Sequence, residues 1–211
     1  MRLRQKTGTI GLAAILAVSS FVSSCTPAWV SSEKSSFIKK SLENSACSGY
    51  VAGLEGIQPF SGYKISKLIN NISSNNITGS ATSSNASEHL YFIEKSWKRK
   101  IPIYIIGYSA GAEDARRLAH NCKNLNISIE TLFLLDPTYL RTCSQKKIPN
   151  NVKKVINYRS SSPDFFRGRP LTKDNFENPL TFFENHEVPL TDHDSLPDYV
   201  TDNIKFRILN K

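Results

Sequence analysis

Histidine and cysteine are scarce in this chain of 211 residues, with four of each, and no two cysteines have the Cys-x-x-Cys spacing. A zinc site is therefore not expected, and we expect no metal or organic cofactor. The formal net charge is +9, but no long basic run accompanies it, so the sequence does not indicate nucleic-acid binding. Internal repeats are absent as well.

The first 24 residues have the features of an export signal, which is not part of a folded domain. Three basic residues come without an acidic one, and the apolar stretch 10–22 that follows is too short for a comfortable membrane span. The stretch ends in Val22-Ser-Ser-Cys25, which resembles the cleavage box of bacterial lipoproteins. The resemblance implies that Cys25 becomes the lipidated first residue, and an ordinary secreted protein cut nearby is the alternative.

Thr26 stands where lipoproteins retained in the inner membrane carry Asp, so the same resemblance implies anchoring in the outer membrane of a bacterial envelope, facing the periplasm or the surface. Without residues 1–24, about 187 residues remain, enough for one well-buried domain. We expect residues 25–36 to be a Ser-rich flexible tether and residues 37–211 to be a single domain. The mild positive charge is compatible with an anionic lipid surface or with a solvated face.

Three cysteines besides Cys25 would then lie in an oxidising compartment, where three thiols cannot all pair. Cys122 ends a predicted helix and Cys143 follows the next predicted strand. These two could therefore form a disulfide and leave Cys47 free, or they could remain reduced. The sequence leaves both possibilities open.

Apolar runs typical of buried strands alternate along the chain with segments of helical spacing. Strands are predicted at 50–56, 76–82, 101–106, 127–135 and 152–158, and helices at 37–44, 65–72, 86–100, 112–119 and 196–209. This alternation predicts an α/β fold, a three-layer sandwich with a mainly parallel sheet of roughly five strands. Residues 160–192 have no clear period and are predicted to be a long functional loop or hairpin.

The most informative segment is Gly107-Tyr-Ser-Ala-Gly111, which follows an apolar strand and precedes a helical pattern. A serine on such a sharp turn is held in a strained conformation, and the flanking glycines let strand and helix approach each other. Ser109 would then stand at a helix N-terminus, where the Ala110 N–H faces a developing oxyanion. The segment therefore predicts a serine nucleophile, with a plain glycine-rich turn as the alternative.

A serine hydroxyl needs a general base, usually His, and the His needs a carboxylate that fixes its tautomer. Asp136 directly follows a predicted strand and is the candidate acid, with a turn-capping role as the alternative and Asp164 in reserve. His193 lies in a loop before the last helix and is the candidate base, with His186 as its competitor. The other two histidines lie within predicted helices and are expected to be surface or capping residues: His89 and His120.

These three segments together resemble the α/β-hydrolase superfamily of lipases, esterases and thioesterases, whose nucleophile, acid and His follow in this chain order. The resemblance spans residues 49–209 or so and implies a minimal, cutinase-like core without a large cap, with a site open to substrates presented at a surface. The superfamily takes its second oxyanion donor from the loop after an early strand. That places the donor at the N–H of Leu54 or Glu55, opposite Ala110, unless this loop is a plain turn.

The resemblance implies a serine hydrolase that cleaves an acyl ester or thioester through an acyl-enzyme on Ser109, with an acyl ester or lipid-like molecule as its substrate. A non-catalytic envelope lipoprotein of the same fold, binding a lipid or a partner protein, is the rival, and an amidase or transacylase would use the same machinery. Several phenylalanines could line an acyl groove or simply belong to the core: Phe165, Phe166, Phe176, Phe182 and Phe183.

Overall fold

A computed structural model describes residues 32–43, 47–56, 63–73, 76–82, 86–137, 147–162 and 167–210. The strands in these residues are β1 (Gly49–Leu54), β2 (Ile77–Thr82), β3 (Ile103–Tyr108), β4 (Ile129–Leu135), β5 (Val152–Ser160) and β6 (Phe182–Val188). The α-helices are α1 (Ser32–Glu43), α2 (Lys64–Ile72), α3 (Ala86–Lys98), α4 (Gly111–Asn124) and α5 (Leu196–Leu209). None of these helices is long and apolar enough to cross a bilayer.

The strands form one sheet in the order β2-β1-β3-β4-β5-β6, and every neighbouring pair is parallel. Each face of the sheet carries its own apolar cluster. Helices α1, α3 and α4 pack on one face, and α2 and α5 pack on the other. The prediction of a three-layer α/β sandwich is confirmed, although the sheet has six strands instead of five.

Strand β3 shows why the sheet lies at the centre of the molecule. All six of its residues are buried, and two adjacent residues of the strand, Ile105 and Ile106, belong to the clusters on opposite faces. An apolar run with no polar alternation is what a strand buried on both faces requires. The helices on each face contribute matching apolar stripes. In α2 the stripe consists of Ile65, Leu68, Ile69 and Ile72.

The sixth strand corrects the prediction for residues 160–192. Strand β6 pairs with β5 from Phe182 to Val188 at the edge of the sheet, where only one side of a strand is covered. Its sequence, Phe-Phe-Glu-Asn-His-Glu-Val, is half polar and partly exposed, so it lacks the apolar signal of the central strands. The buried Asn157 side chain of β5 donates to the Asn185 side-chain oxygen at 2.9 Å, a non-local bond that sequence patterns do not reveal.

Helix α1 begins at Ser32, five residues before the predicted start, so residues 32–36 are helical where a flexible tether was expected. Ile38 and Leu42 bury the helix in the cluster shared with α3 and α4. The guanidinium of Arg99, beyond the end of α3, donates to the Leu42 carbonyl and fixes the last turn of α1. Residues 1–31, including Cys25, lie outside the described residues.

His89 was expected to be a surface or capping residue and instead is fully buried between α3 and the sheet. Its Nε2 lies 3.1 Å from the Gly53 carbonyl, which can only accept, so Nε2 carries the proton. Its Nδ1 then accepts from the Tyr50 hydroxyl at 3.0 Å. A buried imidazole that satisfies both of its nitrogens in this way is a structural group of the core.

Cys122 carries a free thiol. Cys143, its possible disulfide partner, lies outside the described residues. The Cys122 side chain is fully buried in the cluster under α4. Burial raises the pKa of this thiol to about 12, so it behaves as a small apolar group. Cys47 is free as well.

Replacing His89 with Leu should lower the free energy of unfolding by about 1–3 kcal/mol, because the Tyr50 hydroxyl and the Gly53 carbonyl lose their buried partner. Urea unfolding measures the effect. His120→Leu is the control, since His120 is only partly buried and its one hydrogen bond to the described residues is to the Lys147 carbonyl, at 2.8 Å. A His89 variant no less stable than the His120 variant would contradict the structural role of His89.

Candidate active site

Ser109 sits between the end of β3 and the start of α4 with a φ of 55°, in the left-handed region that non-glycine residues avoid. Its N–H donates to the Leu135 carbonyl at 2.9 Å, so the ladder between β3 and β4 continues into the turn. The residue is largely buried, with 8% of its surface exposed. A strained serine at a strand-to-helix turn is the geometry predicted from the sequence.

The two flanking glycines are required by close contacts. A Cβ on Gly107 would lie 2.6 Å from the Ala112 Cα, and one on Gly111 would lie 2.3 Å from the Leu54 and Glu55 carbonyl oxygens. Real Cβ atoms do not approach other atoms so closely, so neither position accepts a side chain. The glycines therefore let α4 lie against both β3 and the end of β1.

Asp136 follows the last residue of β4, with a φ of 39° and no exposed surface. Its Oδ1 accepts the backbone N–H groups of Ser160 at 2.9 Å and Gly168 at 3.0 Å. Its Oδ2 lies 3.3 Å from Nδ1 of His193. The acid and the base predicted from the sequence are therefore in contact, and Asp136 is not merely a turn cap.

Burial on its own would raise the pKa of Asp136, since a carboxylate is poorly solvated there. Hydrogen bonds from His193, Ser160 and Gly168 outweigh burial and hold the pKa below its ordinary value of 3.8. The residue is therefore a buried carboxylate that stays ionised at neutral pH. Such a group can fix the tautomer of a neighbouring imidazole and stabilise its protonated form.

His193 lies in the loop between β6 and α5 and is held on two sides. Its ring stacks on the Tyr108 ring, with centroids 4.9 Å apart and an angle of 27°, and its side chain is 12% exposed. The Tyr108 hydroxyl also donates to the His193 backbone carbonyl at 3.0 Å. Tyr108 directly precedes Ser109, so the same short segment carries the serine and supports the histidine.

The competing base, His186, has other partners. His186 lies on β6, where its Nε2 is 2.6 Å from Oε2 of Glu184 and its ring stacks on Tyr158. Arg207 of α5 lies beside the same carboxylate, at 2.8 Å, so His186 belongs to an ion-pair cluster. Asp164, the reserve acid, lies outside the described residues.

The loop after β1 differs from the prediction in its details. Leu54 is paired with β2 and β3 inside the sheet, and the Glu55 N–H donates to the Thr82 carbonyl at 2.9 Å. In the described part of this loop, Gly56 lies against Ser109: a Cβ at Gly56 would lie 3.0 Å from the Ser109 Cβ and 3.5 Å from its Oγ. The space beside the hydroxyl is therefore bounded by Gly56 and by the start of α4.

Three residues that support the site were missed in the sequence. Gly168 and Ser160 reach Asp136 through their backbone, which leaves no trace in residue type, and Tyr108 reads as one more strand residue. Gly168 alone left a signal, because it is a glycine in a segment without period. A Cβ there would lie 2.6 Å from the Pro137 ring.

Among the phenylalanines considered for an acyl groove, those that the structure describes belong to the core or to the other end of the sheet. Phe176 is buried and stacks on Phe183 at 5.0 Å. Phe182 is exposed and pairs with Lys154, near the amino end of β5. Phe165 and Phe166 lie outside the described residues. A cavity of about 540 Å³ also lies at the amino ends of the strands, lined among others by Trp97 and Lys153, away from Ser109.

No group of three or more His, Cys, Asp or Glu side chains within the described ranges is arranged to hold a metal ion. The site itself presents four kinds of chemical group. These are a hydroxyl, an imidazole, an ionised carboxylate and the N–H groups at the start of α4.

The parallel six-stranded sheet with helices on both faces is an arrangement that solved structures share. The thioesterase domain SrfTE, described for the cyclization of the lipopeptide antibiotic surfactin, aligns with a TM-score of 0.51 at 14% identity, over 78% of this chain and 93% of its own. That likeness shows the fold.

Two further structures align with a TM-score of 0.47. Est1E from Butyrivibrio proteoclasticus is 14% identical over 79% of this chain and 89% of its own. The RedJ thioesterase from the prodiginine biosynthetic pathway in Streptomyces coelicolor is 8% identical over 78% and 91%. No family model and no curated protein sequence matches the chain.

Stability should depend on pH through Asp136. Because its pKa is lower in the folded protein than its ordinary value of 3.8, the ionised carboxylate stabilises the fold above about pH 4, and this contribution is lost as the pH falls through the folded value. Wild type should therefore be more stable than Asp136→Asn at pH 7, and the difference should shrink at pH 3. Urea unfolding at the two pH values measures it.

Asp202→Asn is the control for this experiment, because Asp202 is exposed on α5. Its small stability difference from wild type should change little between the two pH values. A difference between wild type and Asp136→Asn that stayed constant from pH 7 to pH 3 would contradict the lowered pKa.

Proposed function

We propose that this protein is a serine hydrolase that cleaves an acyl ester or thioester. The observation that carries the proposal is the contact between His193 Nδ1 and the buried Asp136 carboxylate, 3.3 Å apart, with the His193 ring stacked on Tyr108, the residue before the strained Ser109. A positive φ at a serine costs stability, so a purely structural role does not explain the turn. The α/β-hydrolase-like fold, shared with a thioesterase domain, is compatible with it.

In the proposed reaction the Ser109 Oγ attacks the substrate carbonyl carbon while Nε2 of His193 takes the hydroxyl proton. Asp136 holds the proton on Nδ1, which leaves Nε2 as the basic nitrogen, and stabilises the imidazolium that forms. The carbonyl oxygen becomes an oxyanion and accepts the Ala110 N–H at the start of α4, where the helix dipole also favours negative charge. We place the second donor on the loop at Gly56, beyond Leu54.

Collapse of the tetrahedral intermediate breaks the bond from the carbonyl carbon to the leaving oxygen or sulfur, which receives the proton from His193. The acyl group then remains on Ser109. Water attacks it, gives a proton to His193 and releases the acid as the serine recovers its hydrogen. An amine or alcohol in place of water would make the same enzyme a transacylase, and an amide substrate would make it an amidase.

The location of the enzyme is also a proposal. Export by residues 1–24 and lipid attachment at Cys25 would hold the domain at a bacterial envelope membrane, proposed to be the outer membrane. An acyl ester embedded in or presented by a lipid surface is then the substrate class that suits the anchor. The rival proposal is a non-catalytic lipoprotein that binds a lipid or partner protein at the same place.

Ser109→Ala should abolish hydrolysis of short p-nitrophenyl esters and covalent labelling by a fluorophosphonate probe, because both reactions need the activated hydroxyl. Ser128→Ala is the matched control, since Ser128 lies next to the amino end of β4 and, among the described residues, its side chain bonds only the Asn151 carbonyl, at 3.4 Å. It should keep both reactions. A wild-type protein that is folded but neither hydrolyses esters nor takes up the probe would favour the non-catalytic rival.

The two candidate bases can be separated by substitution. His193→Gln should lower kcat/KM by about 10³-fold or more, because Ser109 loses its proton acceptor. His186→Gln should leave kcat/KM within about threefold, because His186 is paired with Glu184 on β6. Steady-state kinetics on one ester decides between them, and the reverse pattern would move the base from His193 to His186.

A further inference from the structure

Glu55, next to the elbow, holds a carboxylate that is almost completely buried, with 2% of the residue exposed. Its Oε2 accepts the Ile65 N–H at 3.1 Å and its Oε1 accepts the Ser66 N–H at 2.7 Å. These are two of the N–H groups at the start of α2, which have no partner within a helix. Tyr63, the residue at the N-cap position of α2, makes no side-chain cap bond. The helix is capped instead by Glu55, ten residues before Ile65.

The backbone of Glu55 is fixed on the side of the candidate active site. Its N–H donates to the Thr82 carbonyl of β2, and its carbonyl oxygen packs so closely on the start of α4 that Gly111 has no room for a Cβ. The next residue, Gly56, touches Ser109. Glu55 therefore joins three things through one residue: the edge of the sheet, the N-terminus of α2 and the wall of the space beside the Ser109 hydroxyl.

We propose that Glu55 is a positioning residue that, by capping α2, holds the Gly56 backbone against Ser109 and so sets the side of the oxyanion pocket opposite Ala110. The inference rests on the proposed serine chemistry and deepens it. The residue does not touch substrate and acts through the loop. Its negative charge is taken up by two N–H groups and the positive end of a helix dipole, so it opposes a nearby oxyanion less than a free carboxylate would.

The state of the carboxylate is consistent with this arrangement. Burial raises the pKa of Glu55 above its ordinary value of 4.5, and the N–H groups of Ser66 and Ile65 partly offset that rise. A buried group of this kind is costly unless its partners are kept. The two bonds to α2 are therefore the reason that the carboxylate can remain at this position.

Loss of positioning affects the transition state more than substrate binding, because the oxyanion exists only after attack has begun. Glu55→Ala should therefore lower kcat by about 10- to 100-fold with KM within about twofold, below the loss seen when an oxyanion donor itself is removed. Glu55→Gln keeps one acceptor oxygen and should fall between wild type and Glu55→Ala. Labelling by the fluorophosphonate probe should slow in the same order.

The experiment compares wild type, both Glu55 variants and Asn151→Ala in the full chain, with steady-state hydrolysis of a p-nitrophenyl ester, probe-labelling rates and thermal unfolding. Asn151 is the matched control, because its side-chain amide donates to the carbonyls of Ala119 and Ile127 at the far end of α4. Removing it should lower Tm without lowering kcat. A general loss of stability would thereby be distinguished from a loss of positioning.

Glu55→Ala with wild-type kcat and labelling rate would overturn the inference and leave the proposed function standing. So would a rise in KM with kcat unchanged, or a fall in kcat matched by Asn151→Ala. If Glu55→Ala does not fold, Glu55→Gln decides alone, and full activity in that variant would overturn the inference. A folded wild type that neither hydrolyses nor labels would overturn the proposed function and this inference together.

Discussion

The candidate site depends on a backbone ladder that continues beyond the ends of the central strands. The Ser109 N–H donates to the Leu135 carbonyl at 2.9 Å, and the Asp136 N–H donates to the Tyr158 carbonyl at 2.8 Å. Both donors belong to residues with positive φ, a conformation that costs about 1–3 kcal/mol each for residues other than glycine. The ladder bonds tie these two residues to β4 and β5, so the strained turns are held by the rigid part of the molecule.

This arrangement explains why the functional groups meet at one edge. In a parallel sheet the carboxyl ends of all strands lie at the same edge. Ser109 and Asp136, which follow β3 and β4, are therefore at the same edge although they are far apart in sequence. His193 comes from farther along the chain and is brought in by the loop before α5, with Tyr108 as its support. Sheet register therefore relates the positions of Ser109 and Asp136, whereas the position of His193 depends on the loop before α5.

Much of this could be predicted from sequence where the signal was local. The apolar run of β3 and the glycines around Ser109 predicted the turn, and the bounds of α5 agree with the predicted helix at 196–209. Asp136 was found because it directly follows a strand. In each case a short stretch of chain contains the whole physical reason.

The failures share a different cause. Strand β6 is stabilised by pairing with β5 and by side-chain bonds such as Asn157 to Asn185. The sequence of β6 alone does not indicate these contacts. His89 reads as a polar helix residue, and only the tertiary structure supplies Tyr50 and Gly53 as partners. Leu54 was placed in the oxyanion loop by family resemblance, and its pairing with two other strands at the end of β1 could not be seen in the sequence.

Strand β6 also bears on how copies of this protein behave toward each other. As an edge strand it presents backbone groups to which another chain could add, the usual route to sheet-mediated aggregation. Its charged residues oppose that. Glu184 is paired with Lys154 and Arg207, and Glu187 with Arg159 and Arg167, so an incoming strand would have to disrupt ion pairs and desolvate charge. The polar composition that made β6 hard to recognise is thus what keeps the sheet from growing.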